Sequence, residues 1–123
     1  MFEVEVDKTK NLLKVHFAER VDAGEAQRYA GEIQLRLADL RPGFRLLTDL
    51  SGLESMDLAC LPHIAQVMDA CRKAGLKLVV RVIPDPRKDI GLNIMSLFHL
   101  HRRIRIVTCK SLEEALTALA IES

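Results

Sequence analysis

Phe44-Arg45-Leu46-Leu47-Thr48-Asp49-Leu50 is a largely apolar run, and Ser51-Gly52-Leu53-Glu54-Ser55-Met56 follows it directly. A short run of this kind, opening just after Pro42-Gly43, suits a strand that a parallel sheet buries on both faces. The residues from Ser51 to Met56 read as the loop that leaves it. Leu76 to Ile83 is a second such run, stopped by Pro84-Asp85-Pro86. Between the two, the period turns helical, with Leu61, Ile64, Ala65, Met68 and Cys71 on one stripe that ends at Ala74-Gly75. Pro62 belongs in the first turn of that helix. A cap at Asp57 would set Pro62 too deep, so an irregular turn is expected over 57–61.

The flanking segments complete a consistent pattern. Phe2, Val4 and Val6 alternate with acidic residues, as do Leu13, Val15 and Phe17 with Lys14 and His16, and Asp7-Lys8-Thr9-Lys10 separates the two. Both read as half-buried strands of an antiparallel hairpin. From Asp22 a helix is expected with Ala26, Ala30, Ile33, Leu37 and Leu40 inward, Asp22 as its N-cap and Glu25 at capping-box spacing. After Pro86 a further helix should carry Ile90, Ile94, Leu97 and Phe98 inward. Arg103 to Val107 then alternates like a strand, and Ser111-Leu112-Glu113-Glu114 opens a last helix with the stripe Leu112, Ala115, Leu116, Leu119. The order is β-β-α-β-α-β-α-β-α. Strands alternating with helices require parallel crossovers. The expected fold class is α/β: a mixed, mostly parallel sheet with an N-terminal antiparallel hairpin, in one domain over 1–123.

Composition excludes several function classes. With 49% apolar and 28% charged residues, the chain is neither disordered nor of low complexity. It has no Trp, one Tyr and four Phe, which leaves little for stacking on bases, and no helix-turn-helix pattern. Nucleic acid is not expected as a partner. No apolar stretch is long enough to span a membrane, and Met1 opens directly into Phe2-Glu3-Val4-Glu5, unlike a signal or transit peptide. A cytoplasmic location is expected, with no membrane partner. The three cysteines, Cys60, Cys71 and Cys109, are odd in number and widely spaced, which suits neither a disulfide framework nor a zinc site.

The net charge of +1 conceals an asymmetry: residues 1–71 hold 8 basic and 12 acidic side chains, whereas 72–110 hold 10 basic and 2 acidic. Arg87, Lys88, His99, His101, Arg102, Arg103 and Arg105 form the basic set. Such a surface suits an anion such as phosphate, a nucleotide or a lipid headgroup, or else a solvated face. The glycine-rich phosphate cradles are missing, and no motif calls for a cofactor or metal. His99 and His101 lack a nearby carboxylate or Cys at ligand spacing. His16 and His63 are expected to be solvated.

In open α/β sheets, partners collect outside the carboxyl ends of the strands, here at Asp49-Leu50-Ser51, Pro84-Asp85 and Thr108-Cys109-Lys110. Asp49 and Asp57 form a conceivable acid/base pair, but no nucleophile or His accompanies them in sequence, and Asp57 is equally explained by holding the N–H groups of the following helix start. Cys60, near that start, is a candidate nucleophile or redox thiol, although Leu58, Ala59 and Leu61 around it favour an inert one. No catalysis is expected.

The chain resembles the STAS domain, named for sulfate transporters and antagonists of anti-sigma factors. Leu46-Leu47-Thr48-Asp49-Leu50-Ser51-Gly52-Leu53 is similar to that family's strand and Asp-Leu-Ser loop, and Met56-Asp57 matches the Asp ahead of its helix. Ala70-Cys71-Arg72-Lys73-Ala74-Gly75-Leu76-Lys77-Leu78-Val79-Val80 and Ser111-Leu112-Glu113-Glu114-Ala115-Leu116 resemble its helix-Gly-strand segment and closing helix. The resemblance implies a non-catalytic regulatory module that binds a kinase-like anti-sigma factor or another regulatory protein, with a homodimer also open. The binding residues it implies are Asp49, Ser51, Ser55, Asp57, Leu58, Ala59, Cys60 and Leu61. Family members switched by a kinase carry Asp-Ser-Ser-Gly or a close variant at the helix start. This chain has Asp57-Leu58-Ala59-Cys60, so the usual phosphoacceptor position is Ala59. An alanine methyl cannot accept a phosphoryl group, and Ser51 or Ser55 would replace it only with a different geometry.

Overall fold

The computed structural model describes residues 1–83 and 104–121. Within them lie β1 (Phe2–Asp7), β2 (Leu12–Val21), α1 (Ala23–Arg36), β3 (Arg45–Met56), α2 (Leu61–Lys73), β4 (Leu78–Val82), β5 (Arg105–Cys109) and α3 (Leu112–Ile121). The helix expected around Ile90 to Phe98 lies outside the described residues. The five strands form one sheet in the order β1-β2-β3-β4-β5. β1 is antiparallel to β2, and β2, β3, β4 and β5 run parallel. This is the expected α/β class.

Alternation along the strands sorts the apolar side chains into two layers. Leu13, Val15, Phe17, Leu46 and Val79 pack with Ile33 of α1 and Val67 and Met68 of α2. On the other face, Leu12, Leu47, Val80 and Val82 pack with Ala115 and Leu119 of α3. Both faces of β3 and β4 are therefore covered, as their continuous apolar runs require. Arg81 is the exception within β4: it is buried, and its Nε donates to Thr108 Oγ1 at 2.8 Å. Burial pulls its pKa down.

Several expectations are corrected. Ser51 to Met56 is strand rather than loop, because β3 keeps pairing with β2 as far as Val21 opposite Met56. The pairing continues only through irregularities between His16 and Ala18 and between Glu19 and Arg20, with Glu19 at φ 59°. Gly52 sits opposite Ala18, where a Cβ would lie 3.3 Å from the Ala18 Cβ. Leu53 is buried on this extension. A Ser-Gly pair that reads as a turn is thus the point where two backbones approach.

In α1, Asp22 caps the helix as expected, its Oδ1 accepting the Glu25 N–H at 2.8 Å. Tyr29 joins the inner stripe, with its ring edge-on to Phe17 and Phe2 at centroid distances of 4.9 and 5.8 Å. The apolar stripe of α2 includes Val67, while Leu61 and Ala65 are only half-buried. On α3, Leu112 and Leu116 are 45% and 50% exposed, so only Ala115 and Leu119 of the expected stripe face the sheet. The last strand runs Arg105–Cys109, with Ile104 outside it; Arg103 lies outside the described residues.

The loops that end α1 and α2 meet. Gly43 donates its N–H to Gly75 O at 2.7 Å, and both residues have positive φ, 90° and 100°. A Cβ on Gly75 would stand 2.7 Å from Pro42 Cα.

Candidate functional site

The extension of β3 and the turn after it carry the candidate binding residues. Asp49 begins the segment, with Oδ1 accepting the Ser51 N–H at 2.9 Å and Oδ2 3.3 Å from His16 Nδ1 on β2. His16, expected to be solvated, is half-buried and held at this contact. Asp57 ends the segment. Its N–H donates to Val21 O at 3.1 Å, and its Oδ1 accepts from Arg20 Nη2 at 3.2 Å.

The side chain of Asp57 therefore does not cap the helix start, as one reading of the sequence had it; it makes no cap hydrogen bond and is drawn to Arg20. Nor do Asp49 and Asp57 combine as an acid/base pair. Extended backbone at about 3.3 Å per residue separates them, and each carboxylate has its own partner on β2, His16 for Asp49 and Arg20 for Asp57.

The expected irregular turn is a single 3-10 turn, Leu58–Cys60, closed by the Cys60 N–H on Asp57 O at 2.9 Å. It leads directly into α2, with Pro62 in the first helical turn. The turn divides its side chains sharply. Cys60 points inward, fully buried, its Sγ donating to Val21 O at 3.5 Å. Burial first, and then the Asp57 carboxylate, push the Cys60 thiol pKa up. That is opposite to what a nucleophilic or redox-sensing thiol needs. Leu58 points outward at 70% exposure, Ala59 is exposed beside it, and Leu61 is half-buried. Ser51 is exposed and Ser55 half-buried.

The contacts that fix this segment, from His16 and Arg20 of β2, are invisible to local pattern reading. The parallel register that sets His16 opposite Asp49 and Arg20 opposite Ser55 is what supplies them. Of the basic set, Arg105 lies exposed on β5, and Arg87, Lys88, His99, His101, Arg102 and Arg103 lie outside the described residues. Among the described residues, no group of three or more His, Cys, Asp and Glu side chains is placed to hold a metal ion, and no helix is long and apolar enough to cross a membrane.

No family model and no curated protein matches the sequence. Solved structures do match the fold. SpoIIAA, an anti-sigma factor antagonist known in phosphorylated and unphosphorylated forms, is similar over 98% of this chain and 98% of its own in the unphosphorylated form, with a TM-score of 0.66 and 13% identity. An anti-sigma factor antagonist from Mycobacterium paratuberculosis is similar over 98% of this chain and 95% of its own, with a TM-score of 0.59 and 23% identity. A sulfate transporter family protein from Wolinella succinogenes gives a TM-score of 0.67 and 13% identity, over 97% of this chain and 93% of that one. The fold is that of a STAS domain.

Proposed function

We propose that residues 1–123 act as one non-catalytic, cytoplasmic regulatory module that binds a protein partner through the 49–61 segment and the first turns of α2. The partner class is a kinase-like anti-sigma factor or another regulatory protein. One observation carries this reading: Leu58 stands 70% exposed on a turn whose backbone is tied down on both sides, by Asp57 N–H on Val21 O and by Cys60 N–H on Asp57 O. A large apolar side chain held out by a rigid turn is the type of anchor that fills a pocket on another protein. Asp49 and Asp57 set the segment, and Leu58, Ala59 and Leu61 supply the apolar contact.

SpoIIAA exists in a phosphorylated form. Where the family resemblance puts the phosphoacceptor, this chain has Ala59 with no hydroxyl. Binding is accordingly constitutive or set by the partner's own state. The test is retention of a partner from native extract on immobilised wild-type chain and on Leu58→Asp, with circular dichroism confirming the fold of both. A protein retained by the wild type and lost with Leu58→Asp supports the reading. Equal retention on both overturns it.

A further inference from the structure

β1 is the outer strand on the hairpin side of the sheet, and β2 is its neighbour in the ladder. Among the described residues no strand pairs with its other edge, which presents a row of backbone N–H and C=O groups, the template on which a further strand can add. The side chains along this edge divide cleanly. Phe2, Val4 and Val6 are half-buried against the core layer of α1, and Glu3 and Glu5 are exposed on the opposite face. That face continues into a groove of about 430 Å³ lined also by Lys14, His16 and Asp49. In register, Glu3 lies opposite His16 and Glu5 opposite Lys14. Neither glutamate forms an ion pair among the described residues, and His16 is turned to Asp49 instead.

This pattern discriminates between occupants. Apolar residues hold the even positions and acids the odd ones. In an antiparallel pairing with a second copy, any register that keeps the apolar faces together sets acid against acid; Val4 on Val4, for example, puts Glu3 opposite Glu5. A shift of one residue sets apolar positions against acids and turns the faces over. The edge therefore opposes its own copy and complements a strand of opposite charge.

We propose that β1 is a docking edge for an extended segment of a protein partner in which Lys or Arg alternates with apolar residues. The basic side chains stand beside Glu3 and Glu5, and the apolar ones extend the layer of Phe2, Val4 and Val6. This inference goes beyond the 49–61 reading: the docking edge is β1, and the groove beside it reaches only Asp49 at the start of that segment.

The test uses the whole chain and a labelled synthetic peptide of alternating Lys and Val, about as long as β1, with binding read by fluorescence anisotropy. The controls are a Glu-Val peptide and a Lys-Val peptide interrupted by Pro. Wild type should bind the Lys-Val peptide about tenfold or more tighter than Glu3→Lys/Glu5→Lys does, and that variant should prefer the Glu-Val peptide. Glu3→Gln/Glu5→Gln, which removes charge alone, should fall between them. New hydrogen-exchange protection should be confined to β1, and Leu58→Asp should bind the peptide as wild type does. Absence of binding would show that the two glutamates only guard the edge, and would overturn the proposal. Undiminished binding of the Pro-interrupted peptide, or protection elsewhere than β1, would overturn it as well.

Discussion

His16 and Asp49 face each other across β2 and β3, with Nδ1 3.3 Å from Oδ2, while the other carboxylate oxygen of Asp49 holds the Ser51 N–H at 2.9 Å. One side chain thus ties the neighbouring strand to the start of the segment that leads to Leu58. Asp49→Ala should lower stability by about 1–2 kcal/mol, the cost of losing a carboxylate hydrogen bond and exposing its partners. Urea denaturation reads the loss, and faster exchange of the Ser51 amide would locate it. Asp49→Asn keeps an acceptor for that amide and should cost less.

The meeting of the 42–43 and 75 loops makes an opposed pair of glycine predictions. Gly75→Ala puts a Cβ 2.7 Å from Pro42 Cα at a residue with φ 100°, so backbone must move. It should destabilise by about 1–3 kcal/mol. Gly31 lies in the interior of α1, where an added Cβ meets nothing within 4 Å. Gly31→Ala should stabilise by about 0.5–1 kcal/mol. Thermal unfolding of the two variants should move in opposite directions.

Cys71 is fully buried on α2, and burial pushes its thiol from 9.0 to about 12. The folded value exceeds the unfolded one, so the contribution of the neutral thiol is fully present below pH 9 and is lost as pH rises from there toward 12. Stability should fall by up to about 1.4 kcal/mol per pH unit across that window from this group. Cys71→Ala should be less stable at neutral pH because of the cavity it leaves, but flatter with pH above about 9. An unchanged alkaline slope in Cys71→Ala would assign the loss to other groups.

The fold was legible because its signals are periodic. The acid-apolar alternation of β1, the runs of β3 and β4 and the caps at Asp22 and Ser111 each survive in the structure, the last with Ser111 Oγ accepting the Glu114 N–H at 3.1 Å. What escaped depends on neighbours distant in sequence. Ser51 to Met56 has turn-like composition, and only the irregular pairing with Ala18 to Val21 makes it strand. Asp57 looks like a helix cap until Arg20, 37 residues earlier, is brought to its carboxylate. Leu58 was marked by the family resemblance, but its 70% exposure follows from the 3-10 turn that sends Cys60 inward. Tyr29 and Val67 were missed because the inner stripes of α1 and α2 are wider than the residues first assigned to them.

Leu58→Asp itself should leave the fold alone, since the side chain is largely in water and surface changes of this type stay within about 0.5 kcal/mol. Matching urea midpoints of the variant and the wild type would establish this. Partner affinity should fall about tenfold or more, the usual scale for an apolar anchor.

The most direct measurement is hydrogen exchange on the complex isolated with the wild-type chain, compared with the chain alone. The account predicts new protection at residues 57–61 and the first turns of α2. A complex that leaves those amides exchanging as in the free chain, with its protection elsewhere, would contradict the assignment of this segment as the binding surface.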